Sequence, residues 1–315
     1  MIKTASLPTI AGALLAFGLS TAPAQAGPNR TWVSGHGTDS GACALAAPCR
    51  TFAFALTQTA AGGEIDVLDP AGYGPVTINK AISIVNDGVG VAAIGAGSGN
   101  AITINAGAGD SVHLRGLTIE GLGTGSSGIL FNTGGNLAIE NCVIRGFAGG
   151  GIDIFPSTSA SFSVPNTIAS NNPFDGIVIA ANGSAVVSGV LSKVITNNNL
   201  NGIVVRGDLT TGASLNVTIA DSEASNNSTG SGVAVDSLSG HAATAVMLRN
   251  FVASNNGTGL EVAGPAILRV AHSVVTGNVT GVTTSGGGVI NSYGDNDIDG
   301  NTNNNTGVLT PLPMH

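Results

Sequence analysis

The sequence repeats GIDI at residues 151–154, GIVI at 176–179 and GIVV at 202–205, which start 25 and 26 residues apart. Related copies stand at 128–131, 232–235 and 259–262, and a weaker one starts at 281. Alternate residues of each unit are apolar, which predicts a short β-strand with one buried face. Because so short a strand cannot bury that face alone, the repeat predicts that successive copies stack into a parallel β-solenoid.

A polar marker recurs with the same period as the strands. It is a six-residue unit that begins with a polar residue and ends with Asn or Gly; one copy runs from Ser192 to Asn197. Asn tolerates the left-handed backbone conformation, so these units predict turns that stack as a ladder from coil to coil. The asparagines assigned to this ladder are Asn141, Asn166, Asn171, Asn197, Asn226, Asn250 and Asn255.

Composition excludes several classes of protein. The 315 residues include 48 glycines, only 9% are charged, and the formal net charge is −8. Helical bundles and coiled coils need far more Lys, Glu and Arg on their outer faces. Nucleic-acid binding demands a basic surface, which 10 Lys and Arg against 18 Asp and Glu do not provide. We therefore expect an all-β protein without a nucleic-acid partner.

Residues 1–26 have the features of a secretory signal peptide. Lys3 precedes an apolar run at 10–19 that is too short to span a bilayer, and Ala24-Gln25-Ala26 fits a cleavage site. No later run is apolar enough for a membrane span, so we expect a secreted or periplasmic protein. The mature chain then divides into a cap at 27–63, coils at 64–300 and a tail at 301–315.

The cap is expected to contain a short helix and a disulfide. Residues 51–61 place apolar side chains on one helical face, as a lid over the first coil requires. Cys43 and Cys49 are separated by five residues, and an exported chain favours a local disulfide between them. Cys142 lies among apolar residues and is interpreted as a buried thiol.

The cap also carries a family resemblance. The segments WVS at 32–34, GTD at 37–39, PCRTF at 48–52 and AGGEIDV at 61–67 resemble the opening of secreted right-handed parallel β-helix proteins. These belong to the pectate-lyase-like superfamily, and the resemblance implies the same fold for most of this chain. That superfamily includes lyases, hydrolases, epimerases, tailspikes and adhesins, so the resemblance does not imply one activity.

The few charged residues fall into columns when the repeats are aligned. Side chains at equal positions of adjacent coils lie about 5 Å apart, which is within reach of an ion pair. Opposite charges in equal positions therefore predict structural ion pairs. The predicted pairs are Arg115 with Glu140, Glu120 with Arg145 and Arg206 with Asp236.

Asp153, Asp175 and Arg206 are the candidate catalytic residues. Glycosidases place two carboxyl groups about 5–9.5 Å apart. Three strand residues and one coil step would separate Asp153 from Asp175 by about 11 Å, unless a turn brings them together. Under a lyase or hydrolase hypothesis these three residues would carry the reaction.

A calcium site is the candidate for the last coil. Asp295, Asp297 and Asp299 form the D-x-D-x-D-G half of a calcium loop, in which alternate carboxylates converge. Thr306 stands where the twelfth-position Glu of an EF-hand would be, and no helix flanks the motif. The alternative is a solvated terminal turn without a metal.

An apolar stripe is predicted on the outside of the solenoid, two residues after each ladder position. Such a stripe would suit self-association or another partner. The alternatives are that a loop covers it or that the assigned strand direction is wrong by one residue. Its apolar members are Val143, Ile168, Val194, Val252 and Val274.

Two functions remain open on this evidence. Ladders and ion pairs account for most polar residues, which favours a non-catalytic module that binds glycan or a cell surface, or that serves structurally. The alternative is a polysaccharide lyase or glycoside hydrolase acting on acidic polysaccharide, with calcium as its expected cofactor. Aromatic residues make up only 4% of the chain, and no platform for stacking sugars is evident.

Overall fold

The computed structural model describes residue 2 and residues 27–313. The predicted signal peptide lies outside the described residues, except for residue 2. Within the described part, no helix has the length and hydropathy that crossing a bilayer requires. One helix, α1 (Phe52–Gln58), stands against thirty short strands in this part of the chain.

The strands follow one another in short steps along the chain. The first ten are β1 (Arg30–Val33), β2 (Gly63–Val67), β3 (Ala71–Gly72), β4 (Val76–Ile78), β5 (Ile82–Val85), β6 (Ala92–Gly95), β7 (Ile102–Asn105), β8 (Ser111–Arg115), β9 (Leu117–Glu120) and β10 (Ile129–Thr133). The next ten are β11 (Asn136–Glu140), β12 (Val143–Arg145), β13 (Ile152–Ile154), β14 (Ala160–Pro165), β15 (Ile168–Ser170), β16 (Ile177–Ile179), β17 (Val187–Ser192), β18 (Ile195–Asn197), β19 (Ile203–Arg206) and β20 (Ser214–Ser225). The last ten are β21 (Ser231–Asp236), β22 (Ala243–Ser254), β23 (Thr258–Ala263), β24 (Ile267–Ala271), β25 (Val274–Thr276), β26 (Thr280–Ser285), β27 (Val289–Ser292), β28 (Asp297–Ile298), β29 (Asn303–Asn305) and β30 (Leu309–Pro311).

These strands form a parallel β-solenoid with three faces. Ten strands, from β4 to β29, make one face, which contains the Gly-apolar-x-apolar units and is called the repeat face below. The other two faces join into a 20-stranded sheet, because β20 and β22 each continue from one face into the next. Every ladder pairing between named strands is parallel, as the repeat predicts.

The core is built from equal positions of successive coils. On the repeat face, Ile152 pairs in register with Ile129 on one side and Ile177 on the other. All three are fully buried, and the column continues through Ile203 and Val233. Each coil thus covers the apolar face of its neighbour, which is why strands of three to six residues are stable here.

The cap contains the predicted helix in a shorter form. Helix α1 ends at Gln58 instead of near residue 61, because Thr59 is extended and Gly62 has φ +75°. Phe52 and Leu56 face the first coil and are buried. A disulfide joins Cys43 to Cys49 with the Cα atoms 4.9 Å apart. Strand β1 pairs with β2, so the cap also adds a strand to the solenoid.

The chain continues to add strands beyond residue 300. Strands β29 and β30 extend the repeat face and the 20-stranded sheet, and both are mostly exposed. Within the segment expected to be a tail, residues 303–305 and 309–311 therefore form part of the last coil.

Three columns run along the turns. The two outer columns, at the first and the last residue of the six-residue unit, together form the predicted ladder. Its residues have positive φ and are mostly exposed, and Asn166 Nδ2 donates to Asn141 Oδ1 at 2.6 Å. One assignment is wrong: the residues with positive φ are Lys193 and Asn198, not Ser192 and Asn197. Asn197 is the last residue of β18. The other outer positions with Asn and positive φ are Asn171, Asn226, Asn250 and Asn255.

The inner asparagine column is mostly buried and lies one residue after the outer column that contains Asn171, Asn226 and Asn255. Asn227 Oδ1 accepts from the backbone N–H of Asn199 at 2.9 Å, and its Nδ2 donates to Asn256 Oδ1 at 2.9 Å. Each amide therefore links its coil to the coils on both sides. The members are Asn172, Asn199, Asn227, Asn256, Asn278 and Asn301.

The inner column explains the glycine that opens each repeat unit. A Cβ at Gly176 would lie 2.7 Å from the carbonyl oxygen of Gly202 and 2.8 Å from Nδ2 of Asn199. Both distances are shorter than a carbon atom tolerates. Glycine is thus required because the next coil and its ladder amide approach this closely.

The predicted ion pairs form only in part. Arg145 Nε donates to Glu120 Oε1 at 3.0 Å, which confirms that pair. Arg115 and Glu140 are neighbours in register, but Arg115 binds Asp87 and Glu140 binds the imidazole of His113 at 3.3 Å. The prediction of an Arg115–Glu140 pair is wrong because each side chain has another partner in reach.

Candidate functional site

A cleft of about 530 Å³ opens on the repeat face, over strands β13 to β23. Its floor consists of outward-facing apolar residues of successive coils, namely Val178, Val204 and Ala234, together with Ala180. These pack on Phe155 in a small cluster separate from the core. The turns before and after the strands form the walls. An apolar floor between polar walls is typical of a ligand site.

All three candidate catalytic residues line this cleft. Asp153 is the central residue of β13, Asp175 lies in the turn before β16, and Arg206 ends β19. From the sequence alone, Asp153 and Asp175 are expected to be about 11 Å apart unless a turn brings them together. The turn before β16 brings Asp175 to the same cleft, close enough for its charge to raise the pKa of Asp153.

The Asp153 carboxyl accepts a hydrogen bond from Ser127 and lies against the backbone at Gly150. The residue is only 8% exposed, although it faces outward from the core, and Oδ2 accepts from Ser127 Oγ at 2.5 Å. A Cβ at Gly150 would lie 2.2 Å from Oδ1, so the chain crosses directly beside the carboxyl. Burial raises the pKa of Asp153, and the nearby charge of Asp175 adds to the rise.

Asp175 and Asp236 have similar environments. Burial raises the pKa of Asp175, against a hydrogen bond from Asn201 Nδ2 at 2.8 Å and the charge of Arg206. Burial also raises the pKa of Asp236, and the charge of Asp208 adds to this. Three carboxyl groups in one cleft are therefore easier to protonate than ordinary aspartates.

Arg206 does not form the predicted pair with Asp236. The two residues are neighbours in register, but the guanidinium binds Asp208 through two hydrogen bonds, Nε to Oδ1 at 3.2 Å and Nη2 to Oδ2 at 2.7 Å. These bonds raise the pKa of Arg206. Asp208 is two residues away in the following turn, so it reaches the guanidinium more directly than the next coil does.

The cleft also contains residues that the sequence analysis missed. Phe174 is 58% exposed on one wall, and Phe155 lies half-buried on the floor. No platform for stacking sugars is evident from the sequence, and these two rings are not singled out there. Glu261 of β23 lines the far end and accepts from Ser231 Oγ at 2.6 Å. Phe174 directly precedes Asp175 in the sequence, and this adjacency could have indicated that both residues lie in the same site.

The three aspartates proposed for calcium have separate partners. Asp295 accepts from the backbone N–H of His272 at 3.1 Å, and Asp299 accepts from Asn304 Nδ2 at 2.9 Å. Asp297 lies on β28 and is exposed. Among the described residues, no three His, Cys, Asp or Glu side chains form a group that would hold a metal ion. These carboxylates do not fit a shared site as they stand, and calcium binding stays a prediction.

The outward stripe is present with one correction. Val143, Ile168, Val252 and Val274 are partly exposed members of one column, but Val194 is fully buried. Ile195 takes its place, because the ladder residue of this coil is Lys193. Glu223 interrupts the column between Ile195 and Val252. Self-association through this stripe stays a prediction.

Comparison with known families and structures identifies the fold. The family model described as right handed beta helix region matches residues 100–303. The crystal structure of pectate lyase Pel9A is similar, with a TM-score of 0.59 and 16% identity over 85% of this chain and 75% of that one. A search of curated proteins found no match. The predicted right-handed parallel β-helix is thereby confirmed.

Two further structures match with lower TM-scores. They are the A-modules of the Azotobacter vinelandii mannuronan C-5 epimerases AlgE4 and AlgE6. The TM-scores are 0.42 and 0.45, with 15% and 16% identity. Each match covers 81% of this chain and 91% or 92% of the other.

Proposed function

The chain belongs to the right handed beta helix region family, and on that premise we propose that it is a carbohydrate-binding protein whose site is the cleft on the repeat face. The observation that carries this proposal is the exposed ring of Phe174 beside Asp175 and the amide of Asn201, above an apolar floor. A sugar presents an apolar face and a rim of hydroxyl groups, and this arrangement complements both.

The shape of the cleft suits an extended chain. Its lining runs from Asp153 on β13 to Glu261 on β23, which is four coil steps, or about 19 Å along the solenoid axis. Equal positions of successive coils supply the floor, so the surface repeats at a constant spacing. A polymer with its own repeat fits such a surface better than a compact molecule does.

Binding is tested with a panel of soluble oligosaccharides by isothermal titration calorimetry. We expect at least one neutral or amino-sugar oligomer to bind, and Phe174→Ala to weaken that binding at least tenfold. Leu45→Ala is the matched control, because Leu45 is also 58% exposed but lies in the cap, outside the cleft. Equal losses in both variants, or no binding across the panel, would refute the proposal.

Glycoside hydrolysis is the second candidate function. It is supported by the buried carboxyl of Asp153, whose raised pKa suits a general acid, with Asp175 in the same cleft. Elimination by a lyase has less support, since Arg206, the basic residue that lines the cleft, is engaged by Asp208. Release of new reducing ends from a bound oligosaccharide, abolished in both Asp153→Asn and Asp175→Asn, would establish hydrolysis.

An extracytoplasmic location is part of the proposal. It is supported by the signal-like segment at residues 1–26 and by the disulfide between Cys43 and Cys49, because disulfides persist in oxidising compartments. Fractionation of cells that express the full chain, with sequencing of the mature N-terminus, tests it. We expect the mature chain to begin near Gly27 and to be found outside the cytoplasm.

A further inference from the structure

The charge of the cleft bears on which glycan it binds, and this inference rests on the proposed function. Four carboxyl groups line the cleft, against one guanidinium. The carboxyl groups are spread over its whole length, from β13 to β23, rather than grouped at one point. They are Asp153, Asp175, Asp236 and Glu261.

The guanidinium offsets only part of this charge, because it is paired with Asp208. Arg206 is bound at two points by Asp208, whose side chain is 12% exposed. Two parallel hydrogen bonds between a guanidinium and a carboxylate are the arrangement in which arginine would otherwise grip a ligand carboxylate. Because Asp208 already accepts from Nε and Nη2, a uronate entering the cleft would meet four carboxyl groups and one guanidinium whose charge is shared with Asp208.

Three of the four lining carboxyl groups accept a hydrogen bond from a neutral side-chain donor. Ser127 donates to Asp153, Asn201 to Asp175 and Ser231 to Glu261. Within the described chain, Oδ1 of the nine-tenths-buried Asp153 accepts no hydrogen bond, and it belongs to a side chain that lines the cleft. A carboxylate in this setting gains most from a cationic donor, since burial strengthens the interaction of opposite charges.

We propose that the cleft selects a cationic glycan, a chain of amino sugars that are not N-acetylated, over neutral and uronate glycans. The ammonium group is compact and carries three donors, which matches carboxylates that retain free acceptor capacity. The spread of the carboxyl groups over four coils places one such acceptor near several successive sugars. The floor and Phe174 contact the apolar faces of the same chain.

The test compares three oligosaccharides of equal length by calorimetry at constant ionic strength: fully deacetylated glucosamine, N-acetylglucosamine and galacturonate. We expect the glucosamine oligomer to bind at least tenfold more tightly than the N-acetylated one, and the galacturonate oligomer not to bind. Asp175→Asn and Glu261→Gln should each reduce that preference at least threefold. Asp87→Asn, which changes an exposed carboxyl outside the cleft, should leave it unchanged.

The outcomes separate the inference from the proposed function. Equal or tighter binding of the N-acetylated oligomer overturns the charge selection and leaves carbohydrate binding intact. Absence of binding to every oligomer overturns both. An oligolysine of equal charge serves as a further probe. If it binds as tightly as the glucosamine oligomer, and Phe174→Ala weakens neither interaction, the cleft binds cations by charge alone and the inference fails.

A gain-of-function variant tests the role assigned to Asp208. Asp208→Asn removes one negative charge and releases the guanidinium of Arg206, so we expect measurable binding of the galacturonate oligomer and a loss of preference for glucosamine of at least threefold. If a folded Asp208→Asn protein still does not bind the galacturonate oligomer, pairing of Arg206 with Asp208 is not what excludes uronates from the cleft.

Discussion

The inner asparagine column and the cleft both bring polar side chains of several coils together, but they satisfy them differently. Asn227 has a partner for its acceptor in one coil and for its donor in the next. Asp153 has one hydrogen bond, from Ser127, and its pKa is raised by burial. The column therefore stabilises the stack, whereas the cleft retains unused acceptors at a cost in stability. These unused acceptors are available to form hydrogen bonds with a ligand.

The largest effect is expected at the inner column. Asn227→Ala removes hydrogen bonds to Thr196 O and Asn256 Oδ1 and leaves the buried N–H of Asn199 without its acceptor. We expect a loss of about 3 kcal/mol in the free energy of unfolding, measured by equilibrium urea denaturation. A loss below about 1 kcal/mol would mean that water replaces the amide in this column.

The neighbouring residue tests the outer ladder by a different mechanism. Asn226 is exposed with φ +59°, a left-handed conformation that Asn tolerates through local hydrogen bonds but that costs Ala in the Asn226→Ala variant about 1–2 kcal/mol. Asn226→Gly has no such penalty and should change the free energy of unfolding by less than about 0.5 kcal/mol. If the glycine variant loses as much as the alanine variant, the side chain of Asn226 matters rather than its backbone.

Asp153→Asn should stabilise the protein at neutral pH, by about 0.5–1 kcal/mol. Because burial raises the folded-state pKa of Asp153, the protonated carboxyl favours folding, and that stability is lost as pH rises through the folded-state pKa. Asn resembles the protonated form. The gain in melting temperature should thus be present at pH 7 and vanish below the ordinary carboxyl pKa of 3.8.

The control for this pH dependence is Asp297→Asn, since Asp297 is exposed on β28. Its melting temperature should follow that of the unmodified protein across the same pH range. A lower melting temperature of Asp153→Asn at pH 7 would contradict the comparison, because it would show that the ionised carboxyl stabilises the fold.

The smallest effect is expected at the surface pair. Arg145 and Glu120 are hydrogen-bonded, but their side chains are 53% and 35% exposed, so solvent screens the interaction. Arg145→Gln should cost less than about 0.5 kcal/mol, and a double-mutant cycle with Glu120→Gln should give a coupling of similar size. A coupling energy above about 1 kcal/mol would contradict this, because it would mean that the surface pair stabilises the stack as the buried inner column does.

The repeat face could be predicted closely from the sequence, while the register of one coil could not. The unit at 151–154 contains β13 (Ile152–Ile154), because a glycine and two alternating apolar residues identify strand, period and buried face together. The assignments of Ser192, Val194 and Asn197 are each wrong by one residue. The three consecutive asparagines at 197–199 fit the turn equally well in two registers, and pairing with the preceding coil decides between them.

The inner column and the cleft show two other limits. Asn172 follows Asn171 directly, so the sequence presents both as one turn signal although one is buried and the other faces outward. Recurrence of an asparagine three to five residues before the repeat glycines at 176, 202, 232, 259 and 281 was the available signal. The cleft draws its residues from several coils, and the path of the turn before β16 decides that Asp175 meets Asp153. Such a path depends on packing between coils and not on local preference.

The constant register of the repeat face has a consequence for how the gene can change. Each coil offers the same hydrogen-bonding edge to its neighbours, so the duplication or deletion of one whole coil preserves every pairing above and below it. The cleft spans four coil steps, however, and an added coil between β13 and β23 would move its carboxyl groups about 4.8 Å further apart. Changes in the length of this protein should therefore accumulate on either side of the cleft during evolution, and the number of coils within it should stay fixed.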